Sequence, residues 1–230
     1  IGLGIPAEPL FRSRDNVDSA FVNISGNAYI VNSVFGGGND GHVMKSTVIN
    51  MTGGTVGKRL KLAELITDSL DHVSTHIYTG SVLGGGRGLG MVNDQYDENA
   101  GLVYGNTNVT ISGGTVRHAV YGGGGLSSVG TIGNGYVYQE GTGKTTVTIK
   151  GNALIGPKKS DLAEDNAALR ADFEDYFGSG VEFNLQRYVD TAFKYLGGNE
   201  GWVFGAGCGL ADQVNMTFND STEVNINGNA

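Results

Sequence analysis

Several residue types that support common protein classes are scarce in this sequence. Its 230 residues include one cysteine, Cys208, and three prolines. A single cysteine excludes an internal disulfide and a cysteine-based zinc cluster, so we expect Cys208 to fill a tight glycine corner at 205–209. No apolar run approaches the roughly 18 to 20 residues that a membrane-spanning helix needs. The sequence therefore predicts neither a disulfide framework nor a membrane-spanning helix in this segment.

Positive charge is also scarce. Lys and Arg total 15 against 23 Asp and Glu, which gives a formal net charge of −8. Binding to nucleic acid needs a basic stripe along the phosphate backbone, so this balance disfavours a nucleic-acid partner. The acidic residues are scattered and not blocked, which also argues against an acidic interaction tail.

Glycine, in contrast, is abundant, with 40 residues, and it recurs within a repeated pattern. The segment 107–124 contains an alternating strand, a glycine corner, a second strand, an apolar pair and a glycine run. Related segments have their first apolar strand residue at 22, 49, 147 and 224. Self-similarity of this kind, with Val, Ile, Thr and Tyr between the glycines, indicates a β-rich repeat protein.

Each repeat is predicted to supply an inward-facing pair of residues on its first strand, because residues two apart share one face of a strand. The pairs are Val22/Ile24, Ile49/Met51, Val109/Ile111, Val147/Ile149 and Val224/Ile226. We expect glycine corners after these strands, since glycine accepts positive φ without a Cβ clash. They are Gly26, Gly53, Gly113, Gly151 and Gly228.

The spacing between repeats is irregular, which excludes a rigid short-period repeat. A right-handed parallel β-helix tolerates loops of any size at its corners, and stacked coils bury the face that one coil alone cannot. A β-propeller is the alternative, but it needs four strands per blade of regular length. The sequence thus predicts an all-β fold, a right-handed parallel β-helix of about four to five irregular coils in one unit, 1–230.

Insertions interrupt the repeats at two corners. Segments 58–79 and 157–198 are predicted to be helical and to follow the second strand of a repeat. Asp161 and Glu164 have capping-box spacing, and Gly178 is expected to end that helix. Because both helical insertions leave from the same corner two repeats apart, about 10 Å along the stack, we expect them to pack together.

The other two insertions follow the third strand of a repeat, at 87–106 and 125–144, and are predicted to form loops or hairpins. Asn134-Gly135 between apolar residues is a strong hairpin signal. Four tyrosines lie in these two insertions: Tyr96, Tyr104, Tyr136 and Tyr138. Aromatic side chains in polar loops suit sugar stacking or a protein contact, so these tyrosines are candidate ligand-binding residues; the alternative is that they pack on one another.

The Gly-Gly-Thr-Val motifs at 53–56 and 113–116, with the Val-Phe-Gly-Gly-Gly and Val-Tyr-Gly-Gly-Gly runs, carry a family resemblance. The sequence resembles the glycine-rich β-solenoid stalks of large bacterial surface proteins, of the polymorphic outer-membrane and autotransporter-passenger adhesin type. The resemblance implies a secreted or cell-surface location and structural or adhesive work, with a surface glycan or protein as partner. Plain stalks lack helical insertions, so these insertions are compatible with a more specialised role than that of a stalk.

Residue patterns that suggest chemistry are weak. Asp40 follows a glycine run as in calcium-binding nonapeptides, but those sites need stacked identical ligands and no other repeat carries the Asp. The run 84–90 lacks the Lys-Ser/Thr pair of a phosphate-binding loop. His72 and His76 are four apart without the Glu of a zinc-peptidase motif, and His118 is expected to be solvated. We therefore predict no metal and no cofactor.

Two function classes remain. The first is a non-catalytic segment of an adhesin-like solenoid whose insertions present a binding surface. The second is a carbohydrate-active β-helix enzyme of lyase or hydrolase type, which would need acidic or basic residues on consecutive repeats. The outward first-strand positions offer none: they are Asn23, Asn50, Thr110, Thr148 and Asn225. Because residues 228–230 match 26–28, where the first repeat continues, we also expect this chain to be part of a longer solenoid.

Overall fold

The computed structural model describes residues 16–58, 62, 80–88, 90–92, 95–97, 99–133, 137–156, 167–196, 201–209 and 217–228. These residues are mostly β, with parallel sheets and two helices, which agrees with the all-β expectation. The strands are β1 (Asn16–Val17), β2 (Ala20–Ile24), β3 (Tyr29–Ile30), β4 (Val34–Phe35), β5 (His42–Val43), β6 (Thr47–Val56), β7 (Val82–Leu83), β8 (Met91–Val92), β9 (Gln95–Tyr96), β10 (Thr107–Val116), β11 (Ala119–Tyr121), β12 (Lys144–Ile149), β13 (Leu154–Ile155), β14 (Trp202–Phe204) and β15 (Ser221–Ile226); the helices are α1 (Ala167–Phe177) and α2 (Leu185–Leu196).

The first strands of the repeats form one seven-stranded sheet in the order β15-β12-β10-β6-β2, with β3 and β13 as second strands beside β6 and β10. All its pairings are parallel, and equivalent residues of successive repeats are in register. Val109, for example, lies between Ile49 and Val147. The repeats found in the sequence are therefore repeats in space.

The third strands form a four-stranded parallel sheet in the order β14-β11-β7-β4. One hydrophobic cluster combines inward residues of both sheets, among them Ile49, Val109 and Val147 with Val82 and Val120. The predicted inward pairs are thus confirmed as core in the middle repeats. In the last repeat they are exposed, because β15 is an edge strand: Val224 is 41% and Ile226 60% accessible.

Two of the predicted glycine corners are not corners. β6 and β10 run through Gly53 and Gly113 as continuous ten-residue strands, and the register between them shifts on both sides of Gly113. The next glycines, Gly54 and Gly114, have φ of 86° and 88°. Such a glycine in a strand is typical of a β-bulge, which bends the strand without ending it. The prediction was wrong here because a Gly-Gly pair lets the ladder continue.

The glycine runs of the third strands are required by close packing and not by positive φ. Gly84 donates its N–H to the carbonyl of Tyr121 at 2.9 Å, and Gly85 donates to Gly123 at 3.0 Å, so the runs continue the parallel ladder. A Cβ atom at Gly84 would overlap the carbonyl oxygen of Gly122 in the next repeat. The same overlap occurs from repeat to repeat along the stack, so only glycine fits.

Buried threonines connect the two sheets, a feature that the sequence analysis missed. Thr107 Oγ1 donates to the carbonyl of Gly122 at 2.5 Å. Thr47 and Thr145 make the same bond, also at 2.5 Å, to Gly84 and Gly205. The three threonines are at most 1% accessible. In each of these three repeats, one hydrogen bond thus joins the first strand to the glycine run.

A third parallel ladder, also unexpected, runs through the segments that precede the first strands. Val43 bridges to Val103, and Val103 bridges to Val129, both in parallel. The three valines form a separate buried cluster. Val103 and Val129 lie within the segments 87–106 and 125–144 that were predicted as loops or hairpins, because one apolar residue between glycines and polar residues gives no alternation that would predict a strand.

Both insertions predicted as loops or hairpins contain antiparallel pairing. β8 pairs with β9 in the first, and Ile132 bridges to Tyr138 in the second, although Asn134-Gly135 lies outside the described residues. In the helical insertion, α1 ends at Phe177 and is followed by Gly178 with φ of 100°, as predicted. Asn184 caps α2 through its side chain, which accepts from the N–H of Arg187 at 2.8 Å.

Helices long and apolar enough to cross a membrane do not occur among the described residues. The capping pair Asp161 and Glu164 lies outside the described residues, as does segment 58–79 apart from Leu62.

Candidate functional site

Two of the four candidate tyrosines, Tyr104 and Tyr138, have side chains among the described residues. Tyr104 is half-buried, and its ring meets that of His42 edge-on with centroids 5.8 Å apart. Tyr138 is half-buried in the second hairpin. Tyr96 lies in β9, and Tyr136 lies outside the described residues. Of the four, Tyr104 and Tyr138 can therefore be placed.

Tyr138 is a packing residue. A Cβ atom at Gly130 or Gly143 would lie 2.6 or 2.8 Å from its ring, so the ring fills the space that these glycines leave. Its hydroxyl oxygen is buried without a hydrogen-bond partner. Burial, and then the charge of Asp220, raises the pKa of Tyr138 to about 12. The phenol is consequently neutral at physiological pH and aimed into the protein.

Aromatic side chains are exposed instead on edge strand β14, which the sequence analysis did not consider. Trp202 is 45% and Phe204 38% accessible. Their rings meet edge-on at 5.7 Å, and Phe204 stacks on Tyr121 at 5.0 Å with an angle of 12°. The alternation along the strand could have predicted this exposure. Val203 packs on the core, so Trp202 and Phe204 on either side of it must face away from the core.

The helical insertion has a hydrophobic core of its own. Leu169 and Phe173 of α1 and Tyr188 and Val189 of α2 are buried together, and Leu62 of the other helical insertion belongs to the same cluster. Leu62 is inaccessible to solvent. The expected contact between the two insertions is therefore confirmed at this residue. We call this cluster, with α1 and α2, the helical layer.

A buried carboxylate joins the two insertions within the helical layer. Asp172 is 6% accessible. Its oxygens accept from the main-chain N–H of Leu62 at 3.1 and 3.2 Å and from the hydroxyl of Tyr188 at 2.6 Å. A buried carboxylate that accepts several hydrogen bonds is compensated for the water it has lost. Asp172 thus links the two insertions through these hydrogen bonds.

Two arginines lie over aromatic rings on the outside of the helical layer. The guanidinium carbon of Arg187 is 4.0 Å from the ring centre of Phe177, and that of Arg170 is 4.6 Å from Phe183. Both distances are within the range of cation–π attraction. Both arginines are exposed residues.

The prediction that His118 is solvated was wrong. His118 is 4% accessible, and its Nδ1 lies 2.7 Å from the hydroxyl oxygen of Ser81, which is inaccessible. Ser81 in turn donates its N–H to the hydroxyl of Ser33 at 3.0 Å. The corner is buried because repeats stack on both sides of it. A Ser–His contact is one part of a nucleophilic site, but here no substrate can reach the serine.

Metal-binding arrangements are absent among the described residues: no group of three or more His, Cys, Asp or Glu is placed to hold an ion. Asp40 accepts a hydrogen bond at 2.7 Å from its neighbour Asn39. His72 and His76 lie outside the described residues. Cys208 packs on the cluster of Leu83, Ala119 and Tyr121, and burial raises the pKa of its thiol, as suits a corner-filling residue.

The outward face of the seven-stranded sheet carries an in-register column of amide and hydroxyl groups. Its members are Asn23, Asn50, Thr110, Thr148 and Asn225. Asn50 donates to the side chain of Asn23 at 3.3 Å, a long contact within such a ladder. The column supplies no group that could act as a general acid or base near neutral pH.

No protein-family model, no curated protein and no solved structure matches this chain.

Proposed function

We propose that this chain is a non-catalytic segment of a bacterial surface or secreted adhesin-like solenoid, with the repeats coiled as a right-handed parallel β-helix. Three in-register ladders between successive repeats support this architecture. The repeats form a structural stalk, and the insertions present a surface that binds a glycan or a protein. The resemblance of the glycine-rich motifs to surface stalks supports the location.

The observation that carries the binding role is the helical layer. It has a hydrophobic cluster separate from that of the sheets, and a buried hydrogen-bonded carboxylate joins the two insertions that build it. Parallel stacking does not require such a layer, because the repeats already bury their own inward faces. A folded addition with its own core is the kind of rigid element on which a binding surface is held.

The surface of the helical layer suits a partner rich in hydroxyl or acidic groups. Arg170 and Arg187 offer planar, multiply donating guanidinium groups beside aromatic rings. Guanidinium groups bind carboxylates in a bidentate manner and donate hydrogen bonds to hydroxyl groups. An acidic surface glycan combines both chemistries and is our first choice of ligand.

A glycan array with the purified protein tests this proposal. We expect binding to acidic glycans, and a loss of roughly tenfold or more in affinity for Arg187→Ala or Arg170→Ala, since each would remove a charged contact. Lys45→Ala is the matched control, because Lys45 is also an exposed cation but lies in the repeats, paired with Asp18. Equal affinities of the parent, the arginine variants and the control would contradict a site on the helical layer.

The tyrosine loops are a second place for the ligand. Tyr104→Ala tests the half-buried ring beside His42, and Tyr96→Ala and Tyr136→Ala test the remaining candidates. Tyr138→Phe is the control, because its hydroxyl is buried. If a ligand found on the array binds all of these variants like the parent, the tyrosines have no binding role. Turnover of any array glycan by the purified protein would favour the carbohydrate-active enzyme class instead.

A further inference from the structure

The two helical insertions leave and rejoin the repeats through narrow necks, each made of two glycines with positive φ. Gly57 precedes the first insertion and Gly80 follows it, and a Cβ atom added to Gly57 would lie 2.5 Å from the Cα atom of Gly80. Gly156 and Gly201 lie on either side of the second insertion, and a Cβ atom added to Gly201 would lie 3.6 Å from the Cα atom of Gly156. Each insertion therefore leaves the stack of repeats at one point.

Arg117 occupies the same position in the third repeat as the first neck glycine does in the second and fourth. Arg117 donates its N–H to the carbonyl of Val56 at 3.0 Å. Gly156 donates its N–H in the same way to the carbonyl of Val116 at 2.7 Å. Gly57, Arg117 and Gly156 are thus equivalent residues of three successive repeats. Arg117 is the only one of them with a side chain, and it lies between the two necks.

The side chain of Arg117 is half-buried and lacks a partner. Cβ atoms added to Gly57 and Gly80 would lie 3.0 and 3.3 Å from its own Cβ atom, so its stem lies against the first neck. Its Nε atom is buried without a hydrogen-bond partner, and no ion pair among the described residues involves it. A cation that is partly removed from water without a paired anion costs free energy. Such exceptions are expected at functional sites.

Positive charge is concentrated along the sequence at this corner, although the chain has a formal net charge of −8. The segments 57–61, 117–121 and 156–160, which follow β6, β10 and β13, contain no Asp or Glu. Their Lys and Arg residues are Lys58, Arg59, Lys61, Arg117, Lys158 and Lys159. Of these, Lys58 and Arg117 belong to the described residues. A local excess of one charge attracts ligands of the opposite charge.

We propose that Arg117 binds an oxyanion, the carboxylate or sulfate group of an acidic glycan, at the corner between the two necks. The guanidinium group offers a planar fork of donors that matches both anions, and partial burial strengthens the attraction. The insertions on either side of Arg117 meet at Leu62 and Asp172, so the ligand is held between the repeats and the helical layer. This inference rests on the proposed glycan-binding function and adds the contact that recognises the acidic group.

Calorimetric titration of the purified protein with three polymers tests the proposal. The polymers are hyaluronan, which carries only carboxylates, dextran sulfate, which carries only sulfates, and neutral dextran. We expect one or both acidic polymers to bind and dextran not to bind. Arg117→Gln should weaken the binding at least about tenfold, and Arg117→Lys should weaken it less, because lysine keeps the charge but not the fork. Lys150→Gln is the matched control, since Lys150 is an exposed cation at another corner of the repeats, and it should bind like the parent.

Thermal melts distinguish a loss of binding from a loss of folding. Without a ligand, Arg117→Gln should melt at the same temperature as the parent or higher, because it removes an unpaired, half-buried cation. The bound polymer should raise the melting temperature of the parent and raise that of Arg117→Gln much less. If Arg117→Gln is not folded, the comparison of Arg117→Lys with the parent takes its place, and equal affinities of those two overturn the bidentate contact.

The outcomes separate this inference from the proposed function. Equal affinities of the parent, Arg117→Gln and Lys150→Gln overturn the site at Arg117. If Arg187→Ala weakens binding in that same experiment, the glycan-binding function stands without Arg117. Conversely, a loss for Arg117→Gln with none for Arg170→Ala and Arg187→Ala supports the site at Arg117 and contradicts a role of the other two arginines. Binding of neither acidic polymer overturns the inference.

Discussion

The main-chain N–H of Leu62 donates to both carboxylate oxygens of Asp172, at 3.1 and 3.2 Å. The two residues are separated by 110 positions and belong to different insertions, one from the second repeat and one from the fourth. Their contact spans the third repeat, whose own connection at this corner consists of Arg117 and His118 between β10 and β11. A short third connection is what allows the two longer ones to meet.

Removing the carboxylate should loosen the helical layer. Asp172→Ala leaves the N–H of Leu62 and the hydroxyl of Tyr188 without their acceptor, and hydrogen bonds to a charged group contribute about 1.5 to 3 kcal/mol each. We expect the free energy of unfolding to fall by about 2 to 4 kcal/mol, measured by urea denaturation. Glu174→Ala, an exposed acidic residue of the same helix, should change stability by less than about 0.5 kcal/mol. Similar losses for both variants would contradict the role of Asp172.

One pair of substitutions can test which residues of the first strands point into the core. Val109 is inaccessible in the core, whereas its neighbour Thr110 belongs to the outward polar column. Val109→Asp should cost several kcal/mol, because it places an unpaired carboxylate between stacked repeats. Thr110→Asp should cost less than about 1 kcal/mol. Thermal melts of both variants are the measurement, and equal shifts would mean that the assigned facing is wrong.

Glycine runs and loop glycines should respond differently to a methyl group. Gly84→Ala would overlap the carbonyl of Gly122, which is backbone and cannot move without shifting the next repeat. We expect a loss of about 3 kcal/mol or more. Gly133→Ala is the control: its nearest neighbour would be the carbonyl of Val137 at 3.6 Å, an ordinary contact. The control should be neutral or slightly stabilising in chemical denaturation.

The buried threonine bonds should contribute measurably to stability. Thr107→Val keeps the shape of the side chain but removes the donor to Gly122, so a buried carbonyl loses its partner. We expect a loss of about 1 to 3 kcal/mol. Thr110→Val, on the outward face of the same strand, should cost less than about 0.5 kcal/mol. If the two valine variants have the same melting temperature, the hydrogen bond between the sheets contributes nothing to stability.

Stability should also depend on the ionisation of Tyr138. Its pKa is raised from 10.0 to about 12 in the folded chain, so folding favours the protonated phenol. Between these two values the folded state binds more protons than the unfolded state, and the stability therefore falls as the pH rises from about 10 to about 12. Tyr138→Phe should remove part of this decline in denaturation curves recorded at pH 9.5 and 11.5. An unchanged slope in the variant would assign the decline to other groups.

Local sequence determined the repeats and the inward faces. Val109 and Ile111 alternate with polar residues, and period-two alternation can place its apolar side on only one face of a strand. Gly178 likewise ended α1 as predicted, because a helix stop depends on one residue and its neighbours along the chain. These features are set by contacts within a few residues, which a sequence displays directly.

Tertiary structure decided what depends on the repeat above or below. His118 looked solvated, yet stacking on both sides buries it against Ser81. Residue 84 must be glycine because the carbonyl of Gly122, 38 positions along the chain, lies against it in the next repeat. Val43 joins a parallel ladder by pairing with Val103, and not with residues near it in sequence. Such residues have no local pattern, because the atoms that constrain them are distant in sequence and only stacking brings them within contact distance.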